Sequence, residues 1–176
     1  MSTVASFQIE YLQYLAPDGR LLRDEVPPFA REPAAVVALY KHMLMVRTFD
    51  TKAVALQRTG KLGTYASCLG HEATHVGIGS AMAHEDVLAP SYREYGAQFV
   101  RGVQPRELLM YWGGDERGSD FSGPKHDYAW CVPIGTQCLH AAGAALAFKL
   151  RGEPRVGVAC VGDGGSSKSD TYAAIN

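Results

Sequence analysis

Val156–Asp170 reads VGVACVGDGGSSKSD. From Val156 to Val161 the run is apolar throughout, without the in-out alternation of a half-solvated strand. It therefore predicts a strand buried on both faces, as in parallel sheets. Glycines then bracket Asp163 at the strand's C-terminal end, the place where open α/β sheets bind ligands. Glycines let backbone N–H groups approach phosphates, and the N-terminus of a following helix adds about half a positive charge. An aspartate there repels a bare phosphate. It makes sense if a Mg²⁺ ion sits between its carboxylate and phosphate oxygens. For a bare Gly-Asp-Gly, a tight turn with a solvated aspartate is the more common reading.

Outward from this strand, residues 137–151 (QCLHAAGAALAFKLR) are small and apolar with a basic end, and predict a buried helix. From Pro33 to about Thr59, Val36, Leu39, Tyr40, Met43, Leu44, Val46 and Phe49 recur at three- and four-residue steps, and Gly60 closes the run. Further helices are expected from near Gly70 through ATHVGIGSAMA and from near Pro105 to Trp112. A short segment, DVLAPSYREYG, lies between them. Residues 113–130 read as a loop rich in Gly, Asp and Ser. Residues 1–32 form an N-terminal arm with a turn at Pro17-Asp18-Gly19 and a Pro27-Pro28 pair, and residues 33–176 form the domain. Helix, strand, glycine loop and helix in succession predict an α/β fold with a mainly parallel sheet flanked by helices.

The 176 residues are 47% hydrophobic and 20% charged, with a formal net charge of -1. That balance offers no basic surface for nucleic acid or an anionic membrane. No apolar run approaches the roughly 20 residues of a membrane span. MSTVASFQIEYLQYL lacks a basic region followed by an apolar stretch, so no secretory leader is expected. Cys68, Cys131, Cys138 and Cys160 form no C-x-x-C pair and are expected to be reduced and partly buried. A soluble, cytoplasmic domain is the expectation.

Several segments, in order, resemble the alpha subunit of the thiamine diphosphate-dependent 2-oxoacid dehydrogenases of the pyruvate and branched-chain type. They are FQIEYLQYLAPDGR, QRTGKLGTYASCLGHEATHVG, APSYREYG, PIGTQCLHAAGAALAFKLRG and GDGGSSKSD. The resemblance runs from about Phe7 to Asn176 and implies a thiamine diphosphate-binding fold, truncated on its C-terminal side. It implies Asp163 as a Mg²⁺ ligand, with Gly164 and Gly165 lying against the diphosphate. Tyr92 and Arg93 match the pair that contacts the diphosphate, and a guanidinium fork suits phosphate oxygens. Val132 and Ile134 are implied to give backbone contacts beside the aminopyrimidine ring, with Ile134 near the bend of the cofactor. Some relatives bind a monovalent cation near the positions of Cys131, Pro133, Thr136 and Gln137. A strand-to-helix turn with Gln137 near the helix start suits the same residues.

The activity implied is oxidative decarboxylation of a 2-oxoacid, pyruvate favoured over branched-chain substrates, with acyl transfer to a lipoyl group on a partner acyltransferase. A beta subunit in an α2β2 heterotetramer is implied to complete catalysis, and no catalytic residue is expected within this chain. An acetoin-type dehydrogenase subunit would share these motifs, and a non-catalytic remnant is a further alternative. Thr64 stands where many relatives place an aromatic residue near the substrate. The chain stops at Asn176, thirteen residues past Asp163. The second Mg²⁺ ligand and an active-site histidine are therefore expected beyond it, in a subunit of which this chain is a fragment.

One motif competes with this reading. Gly70–Gly77 reads GHEATHVG and contains His71-Glu72-x-x-His75, the helical spacing by which zinc proteases hold metal and general base. A third ligand is needed, and Glu94 lies nineteen residues beyond His75. Yet Glu94 falls within SYREYG, and Gly70 suggests that the match opens a helix, whereas zincin ligands sit inside one. Glu72 suits the positive end of that helix. A zinc hydrolase is therefore the less favoured alternative.

Overall fold

The computed structural model describes residues 3–176, which divide into a unit ending at Ala38 and a second unit, Leu39–Asn176. In the first unit the chain reverses at Pro17-Asp18-Gly19. Gly19 takes φ 84°, its N–H donates to the Ala16 carbonyl at 2.9 Å, and Leu15 pairs with Leu21 in an isolated antiparallel bridge. A short 3₁₀ helix, Pro28–Arg31, follows the proline pair.

Helix α1 spans Pro33–Arg58, the extent expected from periodicity. Its buried stripe is narrower than the predicted apolar set. Val46, Phe49 and Ala53 are buried, whereas Tyr40 and Leu44 are exposed. In the second unit this stripe packs into a cluster with Tyr95, Phe99, Leu108, Trp112 and Trp130. The aromatic rings meet edge to face, Phe49 and Phe99 at 5.1 Å and Tyr111 and Trp130 at 4.4 Å between centroids, the arrangement their quadrupoles favour. One carboxylate is embedded in this core. Asp50 accepts hydrogen bonds from Tyr65 Oη, Ser67 Oγ and the Cys68 amide, at 2.8, 2.8 and 2.7 Å. Burial pushes both the Tyr65 hydroxyl and the Cys68 thiol well above their usual ranges, so both remain protonated donors or packing groups.

After α1 come α2 (Glu72–Ala81), β1 (Val87–Ala89), α3 (Tyr95–Val100) and α4 (Pro105–Trp112). DVLAPSYREYG has too short a pattern to predict an element. It holds β1 and leads into α3. Pro105 opens α4, where a missing N–H costs nothing, and the Gln104 amide donates to Glu107 Oε2 at 2.7 Å. Helices α2 and α3 lie backbone to backbone through two glycines. A Cβ at Gly96 would stand 2.8 Å from His75 Cβ, and one at Gly79 would stand 2.8 Å from the Ala97 carbonyl oxygen.

The remaining elements are a 3₁₀ turn at Glu116–Ser119, α5 (Thr136–Arg151), β2 (Gly157–Ala159), α6 (Asp163–Ser166) and α7 (Ser169–Ile175). Strands β1 and β2 pair in parallel, Val87 with Gly157, Leu88 with Val158 and Ala89 with Ala159. The α/β class with a parallel sheet is thus observed. Two expectations need correction. Helix α5 is not buried all round: Ala141, Ala144 and Phe148 face the core while Leu146 and Leu150 are exposed. Strand β2 is only half-buried, and full burial belongs to β1. The physical reason is that α5 covers β2 from one side, and β1 is its only strand partner among the described residues.

A buried ion pair holds this sheet in register. Arg101 grips Asp127 through Nε to Oδ2 at 2.7 Å and Nη2 to Oδ1 at 2.8 Å, with side chains 4% and 8% exposed. Arg101 also donates to the Ala83 and Asp86 carbonyls, while the Leu88 amide donates to Asp127 Oδ1 at 2.8 Å. Asp86 then receives the Val156 amide at 2.8 Å, tying β2 to the entry of β1. Replacing Asp127 by Ala strands the Arg101 charge in the interior and is expected to cost about 3–5 kcal/mol in urea unfolding. Asp120→Ala, which removes an exposed pair with Lys125, is expected to leave the urea midpoint nearly unchanged.

Candidate functional site

A cleft of about 490 Å³ opens beyond the C-terminal ends of β1 and β2. Four stretches distant in sequence line it: the face of α2 carrying His71, His75 and Ile78; Ser91–Glu94 after β1; Ile134, Gly135 and Gln137 at the start of α5; and Ala159–Gly162 after β2. This is the crevice that parallel sheets offer to ligands.

His71 stands at the N-cap of α2 and Glu72 is its first residue, so the H-E-x-x-H match does open a helix, as the preceding glycine suggested. The two imidazoles stack, with centroids 5.2 Å apart. Glu72 turns to α1 instead of the cleft. It receives Arg47 Nε at 2.5 Å and the Gly70 amide at 3.0 Å, and the hydrogen bond from Arg47 holds its carboxyl below the usual range. Glu94 is likewise committed, receiving the Ser91 amide at 2.7 Å and Ser91 Oγ at 2.8 Å. Neither carboxylate is left to serve zinc. Among the described residues no group of three or more His, Cys, Asp and Glu is placed to hold a metal ion.

His75 is only 4% exposed. Burial, followed by the neighbouring His71 and Arg93, lowers its pKa to about 4, so the ring is neutral near pH 7. Its Nδ1 is buried and has no hydrogen-bond partner among the described residues, and the same is true of Arg93 Nε. The Arg93 guanidinium carbon lies 5.2 Å from the centre of the Tyr92 ring. Buried polar groups are almost always paired, so two such atoms on residues lining one cleft mark a place for a ligand. Cys160 also lines it. Burial, helped by Glu94 and Cys138, raises its thiol to about 12, which makes it a poor nucleophile.

The turn before α5 is closed by one buried side chain. Gln137 Oε1 receives the Gly135 amide at 3.1 Å, and Gln137 Nε2 donates to the carbonyls of Pro133, at 3.2 Å, and Cys131. This amide bridges carbonyls near the expected monovalent cation position. Lys168 Nζ donates to the Ile134 carbonyl at 2.7 Å, linking the turn to the start of α7.

Of the residues expected to meet a cofactor, Tyr92, Arg93 and Ile134 line the cleft together with Gly162. Val132, Asp163, Gly164 and Gly165 lie outside that lining. Val132 is 44% exposed. Asp163 is the exposed first residue of α6, a helix of a single turn. Gly165 is buried, and a Cβ there would meet the side chains of Val161 and Ile134, the latter at 2.8 Å. Nothing local marks His75 as a ligand contact, since its spacing from His71, which puts both rings on one helix face, is also that of a zinc site. Ser91 and Cys160 carried no local signal of a place in the cleft, whereas Gln137 was expected near the helix start, where it stands.

The parallel strands and the cleft beyond them define a ligand-binding α/β protein. The particular family follows from comparison with known proteins. Residues 40–176 match the family described as dehydrogenase E1 component, and the chain belongs to that family. It is 37% identical over 171 residues to the 3-methyl-2-oxobutanoate dehydrogenase subunit alpha of Mycobacterium tuberculosis, covering 97% of this chain and 47% of that protein. It is 36% identical over 137 residues to the pyruvate dehydrogenase E1 component subunit alpha of Mycoplasma genitalium, covering 78% and 38%. For the pyruvate dehydrogenase E1 component subunit alpha of Staphylococcus aureus the identity is 31% over 169 residues, covering 96% and 45%. The chain thus spans less than half the length of these relatives.

The His75 geometry has a consequence for acid stability. The unfolded ring takes a proton as pH falls through 6.5, whereas the folded ring resists until about 4, so stability declines with falling pH across that window. At pH 5 the wild type is expected to lose roughly 1–2 kcal/mol more, relative to pH 7, than His75→Gln does. Urea midpoints at the two pH values check this.

Proposed function

We propose that the full polypeptide carrying this sequence is the alpha subunit of a cytoplasmic 2-oxoacid dehydrogenase that binds thiamine diphosphate with Mg²⁺. In this reading residues 33–176 are part of its thiamine diphosphate-binding domain and residues 1–32 an arm. The observation that carries the reading is the cleft beyond β1 and β2, whose lining includes Tyr92 and the unpartnered Nε of Arg93. Its volume, about 490 Å³, lies within the range of small-molecule sites.

The residues present fit the group. Arg93 and Tyr92 are donors suited to diphosphate oxygens. Asp163, just beyond Gly162 of the cleft rim, offers a hard oxygen ligand to Mg²⁺, and Gly164 lets backbone approach without a Cβ. Gly165 and Ile134 lie against each other, so the turn holding Ile134 and Val132 adjoins the Gly-Asp-Gly segment. Lys168, bonded to the Ile134 carbonyl, braces the same junction. When bound, thiamine diphosphate supplies the electron sink for loss of carbon dioxide from a 2-oxoacid. This chain's share is to bind and orient it, and the protonated Cys160 thiol is a poor nucleophile in the cleft. The partners are a beta subunit in an α2β2 heterotetramer and a lipoyl-bearing acyltransferase. The substrate is a 2-oxoacid of the pyruvate or branched-chain type, since relatives carry both names.

The test is calorimetric titration of thiamine diphosphate into the full-length polypeptide co-purified with its beta subunit. Saturable binding that requires Mg²⁺ and is lost in Asp163→Ala is expected. Arg93→Ala should weaken it at least about tenfold through loss of a charged hydrogen bond. No binding by the wild type, together with stoichiometric zinc in the protein, would overturn the reading.

A further inference from the structure

We propose that His75 is a ligand contact of this cleft: its imidazole, beside Arg93, donates a hydrogen bond to a phosphate oxygen of the bound cofactor. The inference rests on the cofactor reading above and adds a residue to it.

Its position comes from the close contact of α2 and α3. Gly96 leaves no Cβ where His75 needs room, since one there would stand 2.8 Å from His75 Cβ. The ring is thereby held near the Ser91–Glu94 turn that carries Arg93. His71, one helical turn earlier, stacks on it at 5.2 Å, so one face of the ring is covered.

The chemistry follows from burial. His75 is 4% exposed, yet its Nδ1 meets no acceptor or donor among the described residues. The carboxylates near it are engaged elsewhere, and Arg93 carries the wrong charge. On its own helix, Glu72 is held by Arg47 and the Gly70 amide, and His71 offers only a stacked face. From the turn before α3, Arg93 is a cation and Glu94 is closed on Ser91. A buried ring nitrogen with this surrounding calls for an acceptor from outside the chain. An anion answers both orphans at once, since Arg93 Nε is also unpartnered. Because burial keeps the ring neutral, His75 contributes a donor without adding a second positive charge beside Arg93.

The experiment uses the full-length polypeptide with its beta subunit, in Mg²⁺, titrated with thiamine diphosphate, inorganic pyrophosphate and unphosphorylated thiamine. His75→Phe keeps the ring and removes both nitrogens, and His75→Gln keeps a donor. The Phe variant is expected to bind thiamine diphosphate and pyrophosphate about tenfold more weakly, and the Gln variant within about threefold of wild type. Thiamine itself should bind all three alike. Equal pyrophosphate and cofactor affinities in wild type and a folded Phe variant overturn the proposal and leave the cofactor reading intact. Failure of thiamine diphosphate to bind wild type overturns both. If the Phe variant does not fold, ¹⁵N spectra of the wild-type imidazoles decide. Pyrophosphate is expected to shift the His75 ring resonances, and unmoved resonances overturn the proposal.

Discussion

The bidentate pair of Arg101 and Asp127, both nearly inaccessible to solvent, is the interaction on which the rest of the structure depends. Two charges removed from water are tolerable only when their remaining donors and acceptors are answered. Here they are, by the Leu88 amide on the carboxylate and by the Ala83 and Asp86 carbonyls on the guanidinium. The pair therefore fixes the entry to β1, the end of α3 and the loop at residue 127 as one body. Asp86 extends the hold to β2 through the Val156 amide. Both strands must end at the same level for a cleft to form beyond them, and this network sets that level.

A second constraint shapes the cleft from the other side. Glycines at 79 and 96 bring α2 and α3 into backbone contact, which brings the face of α2 with its two histidines up to the turn of Tyr92 and Arg93. The Asp50 carboxylate, with three donors, holds the chain between α1 and α2 against the aromatic core. The cleft so formed is polar where it is buried, with unanswered nitrogens on His75 and Arg93. Folding alone does not reward such groups, because a buried polar atom without a partner is costly. Their retention is the physical signature of a binding site, and it accords with membership of the dehydrogenase E1 component family.

The H-E-x-x-H match shows why a local motif needs its surroundings. His71, Glu72 and His75 have the spacing of a metal site, and the helix does put both rings on one face. Whether Glu72 is a general base depends on Arg47, twenty-five residues earlier on another helix, and whether Glu94 is a ligand depends on Ser91. Those partners are tertiary facts. They convert an apparent catalytic triplet into one carboxylate paired with Arg47 and two stacked rings lining a cleft.

By itself the sequence determined the elements whose signals are local. Helices α1 and α4 follow from three- and four-residue spacing and from Gly60 and Pro105 at their ends, and the turn at Gly19 follows from its Pro-Asp-Gly. The α/β class and the glycine loop after β2 follow from an apolar run meeting Gly-Asp-Gly. Tertiary structure alone decided the exposure of β2 and of one side of α5, because burial depends on which surfaces meet and not on hydrophobicity along the chain. Helix α3 went unread because its six residues are too few to display a period. Tertiary structure also decided that Tyr92, Arg93 and Ile134 share a cleft with His75. Those residues come from three separate stretches of the chain, and the parallel pairing of β1 and β2, with the crossover of α5, brings them together.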